Sequence, residues 1–359
     1  MTDTTTIRND EAAVLAFKRL YTSYGYSNFR MSRFEEYDLY ASNKNFLVSD
    51  NVITFTDTNG KLLALKPDVT LSIVKNTDAD KNTLQKLYYS ENVYRVAAKT
   101  HEYKEIMQVG LECIGQLDDY AVSEVITLAA KSLSMLDPDY ILDLSHMSFA
   151  SALLCDIPAK QKKQVMVYMA EKNIHGLRAM DIDDAITEKL IALISIYDTP
   201  TAALEKLGAL GINDEAVAEL CALVAALTPS GAAEHIRFDF SMVSDENYYN
   251  GITFAGYVHG VPTKVLSGGR YDNLMKRFKK NCGAIGFAIY MDALDQLLCD
   301  KDFNEVDTLI IYDDSTDTVA LAAMVDDLIS GGEKVKAARV MPRGLKYKNI
   351  VEMGGGKDD

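Results

Sequence analysis

Five histidines and five cysteines are the residue types in this chain best suited to metal or thiol chemistry, and their spacing argues against both. His101, His146, His175, His235 and His259 stand apart, none paired at metal-ligand spacing. Cys113, Cys155, Cys221, Cys282 and Cys299 are odd in number and form no CxxC pair. They read as small buried hydrophobes rather than a disulfide framework or a zinc site. Glycines gather in SGGRYDNL (267–274) and EMGGG (352–356). Neither is a GxxxxGK[ST] loop or a GxGxxG turn, and no GxSxG elbow occurs. GGRY is a turn after a strand, and EMGGG reads as a flexible end. No metal and no cofactor is expected.

The bulk properties are those of an ordinary globular protein. The 359 residues are 48% hydrophobic and 25% charged, enough for two or three domains. No apolar run reaches the roughly 18 residues of a membrane span, and MTDTTTIRND is too polar for a secretory signal. A cytoplasmic location and no membrane partner are expected. The net charge of −15 opposes nucleic acid as a main partner, because phosphate contacts need a basic surface. The densest basic cluster, KRFKK (276–280), reads as a solvated helix end.

Residues 10–24 predict a helix, with Asp10 as cap, Ala13, Phe17, Leu20 and Tyr21 on one face, and Gly25 as stop. Strand character follows over 26–40. Residues 52–70 predict a hairpin turning at Asp57-Thr58-Asn59-Gly60. Residues 84–97 and 105–115 predict a second strand pair, followed by a helix that Asp137-Pro138 ends. A strand is predicted over 140–149. From 157 to 230 short helical periods take over, as in an insertion. Strands resume over 236–244, 247–258 and 263–269, and 283–298 runs from a strand into a helix. The tail from 304 to 359 starts like a βαβ unit and stops short of a full α/β domain.

Six of these segments, in this order, resemble the histidyl-tRNA synthetases, over most of residues 10–300. SRFEEYDLY (32–40) resembles their first class II motif, at the dimer interface. LALKPDVT (63–70) resembles the strand whose acid and threonine face the amino acid. NVYRVAAKTHEYKEIMQVGLECIG (92–115) resembles the second motif, and NYYNGITFAGYV (247–258) the histidine-recognition stretch. SGGRYDNL and GAIGFAIYMDAL (283–294) resemble the last shared loop and the third motif. The resemblance implies an α+β fold: a six- or seven-stranded antiparallel sheet flanked by helices. It assigns residues 1–303 to a synthetase-like core holding the 157–230 insertion, and 304–359 to a partial α/β appendage.

The resemblance also implies a site. Asp68 and Thr70 match positions that grip the amino group of histidine, Gln108 and Glu112 others that face the amino acid, and Tyr248 and Tyr249 the recognition stretch. Arg95 matches the arginine that meets the ATP phosphate. The chemistry is sound: carboxylates bond ammonium groups, and tyrosines give an apolar wall with a polar tip. Strand alternation alone would put some of these side chains in a satisfied core.

Activation of an amino acid builds charge on the α-phosphate of ATP, which fixed cations must stabilise. By the same resemblance the third-motif arginine is Ala293, a nearby glycine is Tyr290, the second-motif glutamate is Ala97, and an arginine before the recognition stretch is Ser244. A shortened loop places Glu102 near another expected arginine. Such a scaffold resembles the regulatory subunits of ATP phosphoribosyltransferase. That implies a non-catalytic homodimer within a hetero-octamer, which activates the short-form catalytic subunit and confers feedback inhibition by histidine. The rival expectations are a divergent, active aminoacyl ligase and an amino acid sensor with another partner.

Overall fold

A computed structural model of the chain describes residues 9–43, 52–78, 80, 82–97, 100–243, 249–294, 297 and 304–354. By internal contacts the chain divides into residues 1–298 and 299–359. In the first unit, helix α1 (Asn9–Ser23) buries Val14, Phe17 and Tyr21. Gly25 ends it at φ +82°, a left-handed conformation that glycine adopts without steric cost. Strand β1 (Ser27–Asn28) and strand β2 (Phe34–Glu36) are short, and helix α2 (Tyr37–Ala41) follows at once. The strand expected over 26–40 is therefore mostly loop and helix.

Strands β3 (Thr54–Thr56) and β4 (Leu62–Leu65) form the predicted hairpin. Asp57 accepts the N–H groups of Asn59 and Lys61, and Gly60 supplies φ +79°. β2 completes a small antiparallel sheet in the order β2-β4-β3. Helix α3 (Thr70–Asn76) leads to the long pair β5 (Leu84–Val96) and β6 (Tyr103–Gly115). Helix α4 (Asp119–Leu136) begins where Asp118 accepts Ala121 N–H. It buries Val122, Val125, Ile126, Ala129 and Leu133.

Strand β7 (Ile141–His146) stops earlier than the sequence suggests, because His146 Nδ1 accepts Ser148 N–H and starts helix α5 (Met147–Leu154). The helical block is α6 (Ala159–Ala170), α7 (Ile174–Arg178), α8 (Asp184–Ile194), α9 (Pro200–Leu210) and α10 (Asp214–Leu227). A two-residue strand, β8 (Tyr197–Asp198), interrupts it. Strand β9 (Ile236–Asp239) is cut short when Asp239 accepts the N–H and hydroxyl of Ser241. Then come β10 (Ile252–Tyr257), β11 (Leu266–Arg270), α11 (Asp272–Arg277) and β12 (Gly283–Tyr290). A 3₁₀ turn, Met291–Leu294, follows where a helix was expected; most of 295–303 lies outside the described residues.

The main sheet has nine strands in the order β1-β5-β6-β12-β11-β10-β7-β9-β8. The six from β5 to β7 are antiparallel, as expected. The short edge strands make it a mixed sheet, since β1 pairs parallel with β5 and β9 parallel with β7. Lys280 Nζ donates to the Val74 carbonyl, and Arg277 Nε donates to Asn43. Two members of the KRFKK cluster thus tie down the ends of α2 and α3, while Lys276, Arg277 and Lys279 are exposed, as a solvated helix end should be.

Asp143 of β7 is buried within the sheet, between Ala255 of β10 and Arg237 of β9 in register, with one oxygen unpartnered. Burial pushes its carboxyl up to about 6, and Asp239 adds to the rise. A carboxyl raised in the folded state contributes stability below its unfolded pKa and loses it as pH rises through the folded one. Urea midpoints should therefore fall between pH 4 and 6, and Asp143→Asn should remove about 1 kcal/mol of that fall. An unchanged slope in the variant would refute this.

In the second unit, β13 (Val306–Tyr312), α12 (Thr318–Ser330), β14 (Val335–Ala338) and β15 (Tyr347–Met353) form a parallel sheet ordered β14-β13-β15. The segment KYKNIVEM is thus a third strand, and Glu352 and Met353 of the expected flexible end belong to it.

Candidate functional site

The two faces of the main sheet have opposite compositions. Toward α1 and α4 point Val109, Leu111, Ile285, Phe287, Ile289, Ile252 and Phe254, all buried. The other face carries small or polar residues in register. One row runs Glu112, Gly286, Gly269, Thr253, and another pairs Gln108 with Tyr290. Successive strand residues point to opposite faces, so Gln108, Gly110 and Glu112 share this one. The space that side chains at Gly286 and Gly269 would take is occupied by Glu112 and Tyr249, and α3 and α11 supply part of the apolar cluster that covers this face.

Glu112 is the centre of the arrangement. Thr70 Oγ1 donates to one carboxyl oxygen at 2.8 Å, and Tyr271 OH donates to the other at 2.5 Å. Burial pushes its carboxyl up to about 8, and neighbouring Asp68 adds to the rise while the two hydroxyls oppose it. Gly286 is what admits this side chain: a Cβ there would lie 1.8 Å from Glu112 Oε2 and 2.4 Å from the Leu111 carbonyl oxygen.

Asp68 lies in the turn before α3 and accepts Leu71 N–H at 2.8 Å. Burial raises its carboxyl above the usual range, though that bond and Arg95 pull it back. Arg95 is half-buried and donates Nε–H to the Pro67 carbonyl at 3.0 Å, beside Asp68. Among the described residues neither Asp68 nor Glu112 has an ion-pair partner. Two buried carboxyls without a contacting cation form a place where an added cation is stabilised.

Tyr249 lies over Gly269, where a Cβ would come within 2.7 Å of its ring. Burial holds its phenol well above the ordinary value, with Tyr290, Glu112 and Asp68 as charged or titratable neighbours. Tyr290 is half-buried near Arg95 and Asp68 and bonds Ser267. The structure therefore brings together Asp68, Thr70, Glu112, Tyr249 and Arg95, with Gln108 on the same sheet face. Tyr248 and Ser244 lie outside the described residues. Ala293 packs against the main core, and Ala97 closes a tight loop by donating its N–H to the Glu102 carbonyl.

Sequence reading missed three contributors. Tyr271 and Gly286 both lie within segments recognised as shared, but their roles depend on Glu112, a partner more than 150 residues away in sequence. Lys66 is fully buried and ion-paired with Glu91, which faces Gln108 across β5 and β6. Its position beside Pro67 and Asp68 was the available signal.

A largely antiparallel sheet of this order, helix-backed on one face and polar on the other, is a class II aminoacyl-tRNA synthetase fold. The chain belongs to the histidyl-tRNA synthetase family, whose model matches residues 4–294. It is 28% identical over 310 residues to an ATP phosphoribosyltransferase regulatory subunit of Oceanobacillus iheyensis, covering 82% of this chain and 76% of that one. A solved structure from Bacillus halodurans C, described as an ATP phosphoribosyltransferase regulatory subunit/histidyl-tRNA synthetase, superposes with a TM-score of 0.80 at 23% identity over 97% of this chain and 94% of that one. A chain of the ATP phosphoribosyl transferase complex from Thermotoga maritima gives 0.63 at 20% identity, over 79% of this chain and 97% of that one.

Proposed function

We propose that this chain is a non-catalytic regulatory subunit of ATP phosphoribosyltransferase. It binds and activates a short-form catalytic subunit in the cytoplasm, as a homodimer within a hetero-octamer, and confers feedback inhibition by histidine. The names of its relatives support the role, and the buried carboxyl pair Asp68–Glu112, with no ion-pair partner among the described residues, is the observation that carries the ligand. The histidine ammonium sits by Asp68, Thr70 and Glu112, with Gln108 beside it, and the imidazole lies against Tyr249; the resemblance assigns Tyr248 to the same recognition stretch. Arg95 is a remnant of the phosphate contact.

Three features support the loss of catalysis: Tyr290 enters the face beside Gln108, Ala293 stands where an arginine is expected, and Arg95 is engaged with Pro67. Each missing donor of charge stabilisation costs about a hundred- to a thousandfold in rate. Histidine-dependent pyrophosphate exchange should therefore stay at background. Measurable exchange would favour the ligase reading instead. The decisive experiment mixes the chain with a short-form catalytic subunit. Co-elution, stimulated phosphoribosyl transfer and histidine inhibition are expected; no co-elution and no stimulation would overturn the proposal.

A further inference from the structure

A second cavity, of about 250 Å³, lies on the helix-backed side of the main sheet, where the first turns of α4 meet α10. Val122, Leu223, Ala226 and Ile252 give it apolar walls, and Glu219 and Arg270 bring opposite charges to it. Each charge is held from behind by its own partner. Glu219 Oε2 lies 3.2 Å from His146 Nε2, and Arg270 Nε donates to Asp272 at 2.9 Å. Among the described ion pairs none joins Glu219 to Arg270. Two other carboxylates border the space: Asp118, which caps α4, and Asp119.

Opposite charges fixed on separate elements, kept apart over an apolar wall, are complementary to a small zwitterion. Pockets for drug-sized ligands run from roughly 300 to 1,000 Å³, so this space suits something smaller. We propose that the cavity binds a free α-amino acid, with its carboxylate on Arg270, its ammonium at Glu219 and its side chain against Val122, Leu223 and Ile252. Both polar ends then make charge-assisted hydrogen bonds to groups already oriented. The bound molecule bridges the helical block, through α10, to the sheet and α4. This site is separate from the Glu112 pocket and does not depend on the reading of that pocket.

The test is a thermal-shift and calorimetric screen of the twenty free amino acids against the full chain carrying Glu112→Gln, which weakens binding at the first pocket. At least one should raise the melting temperature, since a ligand of the folded state stabilises it. Arg270→Gln should weaken that binding about tenfold or more. Ala226→Phe, from an exposed helix position, should fill the cavity and abolish binding while leaving the ligand-free melting temperature essentially unchanged. No shift with any amino acid would overturn the proposal. So would a shift that survives both further substitutions, or an equal shift from the matching amine without its carboxylate.

Discussion

Gly286→Ala is expected to abolish amino acid binding at the Glu112 pocket and to destabilise the chain by about 3 kcal/mol, the upper part of the range for overpacking a closed interior. The added methyl group meets two obstacles of different kinds. The Glu112 carboxylate, at 1.8 Å, could swing away only by breaking its bonds to Thr70 and Tyr271. The Leu111 carbonyl oxygen, at 2.4 Å, belongs to the neighbouring backbone and cannot swing. Strands β6 and β12 would have to separate in the middle of the sheet, losing ladder hydrogen bonds and exposing the core beneath. Gly208→Ala is the matched control. That glycine lies in α9 with nothing within 4 Å of a Cβ. Alanine there should stabilise by about 0.5–1 kcal/mol, because helix interiors favour it. Denaturant midpoints and histidine calorimetry on both variants decide the matter. A Gly286→Ala protein with wild-type midpoint and binding would show that the pocket is looser than its geometry implies.

Gly286 also marks the boundary of what the sequence discloses. GAIGFAIYMDAL can be matched to a shared motif, but a glycine's purpose is set by the atom it makes room for, here a carboxylate on another strand. Local signals were legible where the cause was local. The Asp57–Gly60 turn closes on its own side chain, and the stripe from Val122 to Leu133 is a helix face. Strand β9 was legible, with Ile236 and Phe238 alternating inward, but β8, of two residues, is too short to show alternation, and pairing with β9 creates it. The tail strand β15 was hidden differently. Its seven residues include two charges, Lys348 and Glu352, and a parallel partner some forty residues earlier, β13, holds it. The carboxylates of the pocket were visible only through the resemblance. Composition and spacing could not say that Asp68 and Glu112 would share one buried space without a contacting cation.

That shared space makes a second large effect predictable: histidine affinity should rise about tenfold between pH 6.5 and 8, then level off. With its carboxyl pushed up to about 8 by burial, Glu112 is mostly protonated at neutral pH in the ligand-free protein. An ammonium group arriving beside it favours the carboxylate, so the proton must leave as the ligand binds. Below pH 8 that release costs about 1.4 kcal/mol per pH unit, or about tenfold in affinity. The same carboxyl gives the ligand-free chain stability below its unfolded pKa, which is lost as pH rises through 8, so histidine should protect most where the empty protein is weakest. Glu112→Gln keeps the shape and an acceptor for the Thr70 hydroxyl but cannot take the charge. It should weaken histidine about tenfold to a hundredfold at pH 8, the worth of a hydrogen bond to a charged group, and flatten the pH profile. Calorimetry in two buffers of different ionisation enthalpy reads the released proton directly. A wild-type protein whose affinity is flat over this range, with no buffer dependence, would mean that the ammonium does not sit at Glu112. The cation-free pair would then be a structural acid held neutral by its own burial.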